Sequence, residues 1–382
     1  MSQFRTASQT LMPNLPASLL HFAANGSCTI EPATLSPDAV AWAIHTGLGP
    51  LCDLATTRLT GELKDQLHAS ALGAHFTSAD QQTALLEILA HCQDLGRPVT
   101  LLKGMSISHQ YYPEPQLRVM RDIDILVDEN DLTTIENRLQ SLGYRQESPL
   151  PPEYYREHHH SMPFFHPQKG IWMEIHTQLF RHDNARARIA AFSSATIRQE
   201  MCVSRFGDFD VLRLTPELQL AYIASHWADT FKPVGGLIPM LDIIYLMQHE
   251  GAQLDLDKLK YLLGTPLAAT PVRVILEFLE HNRVDVFPAV LAAWLRQTKT
   301  TTGLAGNSIL QRMVTEYYAK GRAFDNVNTD HNLSVIWATL FQPSPWPNAL
   351  RLPWNILFPP GNPERFMPGR QWRRLLSALR RG

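Results

Sequence analysis

Between Ser36 and Leu95 apolar residues recur every three or four positions. The runs "SPDAVAWAIHTGLGPLCDLA" and "SADQQTALLEILAHCQDLG" each carry a stripe along one helical face, with Ser and Pro opening the first and Gly closing the second. The period changes at "RPVTLLKG", a short apolar run closed by Gly, which predicts a strand leading into a tight turn. "MSISHQYY" then has the length of a short helix, broken by "PEPQ". "MRDIDILV" alternates, so Asp122 and Asp124 fall on one face of a strand and Ile123 and Ile125 on the other. In "DENDLTTIENRLQSLGY" the residues Leu132, Ile135, Leu139 and Leu142 line one helical face, and Gly143 stands where a helix-ending glycine belongs. Two β-rich runs around "PQKG" predict a hairpin turning near Gly170, whose second strand places Glu174 and His176 on one face. From "RLTPELQLAYIASHWAD" onward, with Thr215 as cap and Pro216 in the first turn, the pattern is mostly helical.

These elements predict an α+β fold in three parts. A helical N-terminal segment covers 1–95, a small mixed-sheet core 96–200, and a helical C-terminal domain 201–382. Composition agrees with packed units, since 382 residues at 45% hydrophobic content bury a substantial core. The 34 basic and 36 acidic residues leave a net charge of −2, so no global field attracts nucleic acid or an anionic membrane. Cys28, Cys52, Cys92 and Cys202 form no CxxC pair, which argues against a zinc knuckle or a disulfide framework and fits a reducing cytoplasm. The expectation is a cytoplasmic chain without an export leader or membrane span.

With only 18% charged residues overall, two acids inside "IDILV" need a positive partner. Aspartates two apart on a strand, joined by a carboxylate from a neighbouring strand, suit Mg²⁺, which takes few carboxylates together with phosphate oxygens and water. A lone DxD is common and carries little weight by itself. Its weight here comes from placement: the acids lie mid-strand, a Gly turn with Lys103 precedes them, and Glu174 lies on a later strand.

The runs "LLKG", "YYPEPQLRVMRDIDILV" and "WMEIHTQL" together resemble the uncharacterised bacterial nucleotidyltransferase-like family. That family's pattern is an LKG turn, a Tyr-Pro segment, an R-x-x-x-D-I-D-L-L-V strand and a later E-I-H strand, within the polymerase-β-type nucleotidyltransferase superfamily. The resemblance spans about Leu101 to Leu179, and "LAYIASHWAD" and "MLDIIYLM" are similar to the family's helical region. It implies that residues 96–200 are a nucleotidyltransferase core with Asp122 and Asp124 as the metal-binding pair and Glu174 as the third carboxylate. Two Mg²⁺ ions and an NTP, with ATP expected, follow from it, as does transfer of a nucleoside monophosphate to an acceptor with pyrophosphate leaving. Lys103 and Gly104 stand where the superfamily has a phosphate-cradling Gly-Ser turn, and Arg118 becomes the candidate triphosphate contact. The missing Ser is a departure, and Arg121 stands where a small residue is expected. That departure keeps an alternative in view, a non-catalytic nucleotide- or peptide-binding scaffold, against which all three carboxylates weigh. The acceptor, whether small molecule, protein or RNA, is not specified by these residues.

Charge removal at Asp124 by Asn is expected to spare the apo fold, because clustered acids repel. If His158, His159 and His160 lie on a strand, only His158 and His160 share a face, which disfavours a transition-metal site and leaves a substrate contact for His160. His226 and Asp242 are expected to be packing residues. The tail "GRQWRRLLSALRRG" sets Trp372, Leu375, Leu376 and Leu379 on one face and arginines elsewhere, a basic amphipathic helix able to dock on its own protein or to touch a membrane surface or partner.

Overall fold

The N-terminal stripes fold as helices α1 (Leu15–Asn25), α2 (Pro37–His45), α3 (Gly49–Ala55) and the 29-residue α4 (Glu62–Ala90). Ser36 caps α2 by accepting from the Ala39 amide at 3.2 Å, as its place before Pro37 predicts. Then come β1 (Thr100–Leu101), α5 (Lys103–Tyr111), β2 (Asp122–Leu126), α6 (Leu132–Ser141), β3 (Arg145–Gln146), α7 (Pro152–Tyr155), β4 (Phe164–His166) and β5 (Ile171–His176). The remaining elements are α8 (Ser194–Gln199), β6 (Met201–Phe206), β7 (Phe209–Leu214), α9 (Pro216–Asp229), α10 (Ile238–Glu250), α11 (Leu256–Leu262), α12 (Pro266–His281) and α13 (Ala289–Gln297). This computed structural model describes residues 15–26, 30, 35–150, 152–155, 158–229 and 237–301, and the expected amphipathic tail lies outside them.

Among the described residues the strands form one seven-stranded mixed sheet in the order β3-β4-β5-β2-β1-β7-β6. The hairpin β4–β5 is antiparallel and turns at Gly170, whose φ of +66° glycine accommodates without strain. At the centre β2 runs parallel to β5, pairing Asp122 with Trp172 and Asp124 with Glu174. Alternation then separates two environments. Ile123, Ile125, Met173 and Ile175 point to a face covered by Leu85, Ile88 and Leu89 of α4 and by Ile135 and Leu139 of α6, all buried. The acids occupy the opposite face.

Two differences from the sequence pattern bear on the site. "LLKG" is not a strand followed by a free turn, because β1 is two residues long and Lys103 already opens α5. Residues 201–214 are strands rather than helix: β7 pairs parallel to β1, and β6 closes the sheet's edge. Among the described residues after Pro216, the helical reading holds in α9–α13. Helices α1–α3 and α9–α13 share one continuous apolar core, built from residues such as Leu19, Val40, Leu51, Leu220, Ile243 and Ile275. Among the described residues no single helix is long and apolar enough to cross a membrane; only the bent pair α11–α12 passes by length and composition together.

Candidate active site

The parallel register of β2 and β5 brings Asp124 level with Glu174, and two residues of offset in each direction place Asp122 and His176 on the same face. Buried acids need compensation, and here it comes first from the chain itself. Lys103 Nζ lies 2.7 Å from Asp124 Oδ1 and 3.9 Å from Glu174 Oε2. His176 Nε2 donates to the same Asp124 oxygen at 2.8 Å and stands 3.6 Å from Glu174 Oε2. Against the cost of burial, the Lys103 charge and the His176 hydrogen bond hold the Asp124 carboxyl far below the usual range, and Glu174 is lowered as well. Asp122 fares differently: burial and the neighbouring Asp124 and Glu174 charges push it up to about 7. Three carboxylates therefore face one lysine and one histidine, and Asp122 is the charge left over.

That surplus is the test of whether a divalent cation fits. Asp124, Glu174 and His176 each offer a ligand atom within 4.8 Å of the others. The carboxylate oxygens with the undercompensated Asp122 beside them form a hard, anionic donor set, the kind that Mg²⁺ takes. The residues fit.

The LKG turn is explained by close packing. Lys103 has φ +44°, an uncommon left-handed conformation for a side-chain-bearing residue, and this strained first position of α5 aims its ammonium at β2. A Cβ on Gly104 would collide with Arg118 Nη1 and Met120 Sδ and lie 2.7 Å from Met120 Cγ, so only glycine lets the segment before β2 pass over the helix. Arg118 grips the buried Asp242 of α10 with a two-pronged contact, Nε at 2.8 Å and Nη2 at 2.9 Å, and Tyr112 donates to the same carboxylate at 2.8 Å. Asp242 is thus a packing residue, and Arg118 Nη1 lies against Gly104. His226 lies in α9 with its ring 5.7 Å from that of Tyr222. Arg121 is exposed at the mouth of β2.

The histidines do not behave as strand residues. Only His160 bridges to β5, opposite His176, and the rings of His158, His159 and His160 gather with centroids 4.2–4.8 Å apart. The strand premise that kept them on opposite faces fails. Two further residues join the site unassigned by sequence reasoning. His176 was legible on the Glu174 face, but its hydrogen bond to Asp124 was not. Tyr222 of α9, fully buried, has a hydroxyl raised by burial and electrostatically coupled to Lys103, and no sequence signal marks it.

A cavity lined by Arg97, Asp128, Asn130, Gln178 and Arg198 opens at the far end of β2 and β5, and the three acids do not line it. The family model described as an uncharacterised nucleotidyltransferase matches residues 36–282, which include every element that builds the acidic face. No curated protein and no solved structure matches the chain.

Proposed function

The chain belongs to this uncharacterised nucleotidyltransferase family, and on that premise we propose that it is a polymerase-β-type enzyme of the cytoplasm that moves a nucleoside monophosphate from ATP to an acceptor hydroxyl or phosphate. The observation that carries the reading is the pairing of Asp124 with Glu174 across β2 and β5, with Asp122 on the same face. Asp122, Asp124 and Glu174 would hold two Mg²⁺ ions, which supply charge neutralisation for the triphosphate and activation of the acceptor oxygen.

The chain's own groups do the rest. Lys103 and the amides at the start of α5 bring positive potential to the donor phosphates, and the Nη1 edge of Arg118 adjoins them at Gly104. Glu174 has 23% of its side chain exposed against 4% for Asp124, so it presents the carboxylate nearer the open side. It takes the acceptor's proton at a carboxylate oxygen as the new bond to the α-phosphorus forms, while the bond from that phosphorus to the bridging oxygen breaks and pyrophosphate leaves. Small molecules, protein side chains and RNA ends all offer such an acceptor oxygen.

The Lys103–Asp124 contact favours one rival, a nucleotide- or peptide-binding scaffold without turnover, because a lysine that neutralises the acid needs no metal. Incubating the full chain with α-phosphate-labelled NTPs, Mg²⁺ and fractionated cell extract distinguishes the two. The enzyme reading expects chelator-sensitive label in one acceptor fraction with pyrophosphate release. NTP binding without transfer in any fraction would leave the scaffold.

A further inference from the structure

Three consecutive histidines stand beside the acidic site with no part in the proposed transfer. Their backbone is pinned: the amides of Thr177 and Ser161 donate to His159 O and Ile175 O at 2.9 Å, and the His158 amide donates to Tyr155 O at 3.1 Å. Each imidazole offers a nitrogen within 4.8 Å of the others. Nitrogens sharing one tetrahedral zinc at about 2.05 Å stand about 3.3 Å apart, so the trio is gathered to within roughly 1.5 Å of a ligand set before any ion arrives.

Hydrogen bonding supports the same reading. His160 Nδ1 lies 2.7 Å from Ser161 O, and a carbonyl only accepts, so Nδ1 carries the proton and the Nε2 lone pair is available. A backbone carbonyl fixing the far nitrogen is the usual way a metal-binding imidazole is oriented. The Nδ1 atoms of His158 and His159 are buried without a hydrogen-bond partner, a cost that packing alone does not explain. Burial, the largest cause for each, lowers all three histidines below their ordinary value. Clustered neutral nitrogen donors suit a borderline transition ion and not Mg²⁺.

We propose that His158, His159 and His160 bind one first-row transition dication of the zinc class, at a site separate from the carboxylates and joined to them through the His176 ring. That ring lies 5.2 Å from His159 and 5.3 Å from His160 while its Nε2 donates to Asp124. The site does not rest on nucleotidyl transfer, and its test reads binding alone.

Untagged full chain, stripped with a chelator, is titrated with Co²⁺ and followed by visible absorption. With excess Mg²⁺ present to occupy the carboxylate face, the expected result is one cobalt ion per chain with the intense bands of nitrogen-ligated, low-coordinate cobalt, displaced by Zn²⁺. The His158→Ala/His160→Ala double variant weakens binding about 100-fold or more, whereas Asp122→Asn leaves it within a few fold. His158→Gln, which keeps a polar side chain, weakens it in the same direction and serves if the double variant does not fold. A weak six-coordinate spectrum in the wild type, undiminished binding in a folded histidine variant, or loss confined to Asp122→Asn overturns the proposal.

Discussion

Asp122 is the residue on which the site's charge balance turns. Burial and the neighbouring Asp124 and Glu174 charges push its carboxyl up from 3.8 to about 7 on folding. Across that window the folded state holds a proton that the unfolded state has released, so the stability from this group is full below 3.8 and is lost as pH rises towards 7. Asp124 works oppositely: its lowered carboxyl stabilises above 3.8, and that stability is lost only as acid protonates it. Denaturant midpoints measured from pH 4 to 8 should therefore show Asp122→Asn gaining on the wild type as pH rises, with the gain levelling off above 7. A constant difference would mean that Asp122 is not strained by its neighbours. Lys103→Met removes the partner of a buried carboxylate and should cost about 3–5 kcal/mol in the same assay, partly restored by Mg²⁺ if the cation can take the ammonium's place. These contacts replace the expectation that Asp124→Asn spares the fold, since Asp124 is the stabilised member of the cluster and Asp122 the strained one. That Asp122 shares a strand face with Asp124, and Glu174 with His176, was legible because strand alternation needs no tertiary knowledge; the parallel pairing of β2 with β5 that joins the two pairs was not. The Lys103 contact was not, because it depends on a left-handed backbone turn that the letters "LKG" do not reveal.

At the scale of elements, α5 and the segment entering β2 are held by one crossing. Gly104→Ala forces the added methyl into Met120 and Arg118 and should destabilise by about 1–3 kcal/mol, the range for overpacking a tight contact. The Arg118–Asp242 pair ties that crossing to α10. Breaking it by Arg118→Met should cost about 3–5 kcal/mol, with a smaller penalty in the Arg118→Met/Asp242→Leu double variant, since no buried charge is then left alone. Equal penalties in single and double variants would show the pair to be uncoupled. The hairpin at Gly170 and the stripe of α6 were readable, since turn chemistry and period coincide there. β6 and β7 were not, because their pattern gains meaning only when β7 pairs with β1, over a hundred residues earlier in the chain. The histidine run misled for the same reason: its rings are placed by backbone bonds to β5 and not by a strand of its own.

For the whole molecule, the sheet carries one apolar core against α4 and α6 on one face and the acids on the other. The first and last described helices join in a second core. The fold thus fixes the acidic face between two packed layers, which allows a charged cluster to persist without collapsing. If these acids serve metal-dependent nucleotidyl transfer, Asp122 separates that role from folding because its charge burdens the apo structure. The decisive measurement compares Mg²⁺-dependent transfer of α-phosphate label by wild type and Asp122→Asn, alongside apo thermal unfolding. Transfer by Asp122→Asn should fall about 100-fold or more, with an apo melting temperature equal to or above that of the wild type. Transfer within a few fold of wild type by a folded Asp122→Asn variant would contradict that role.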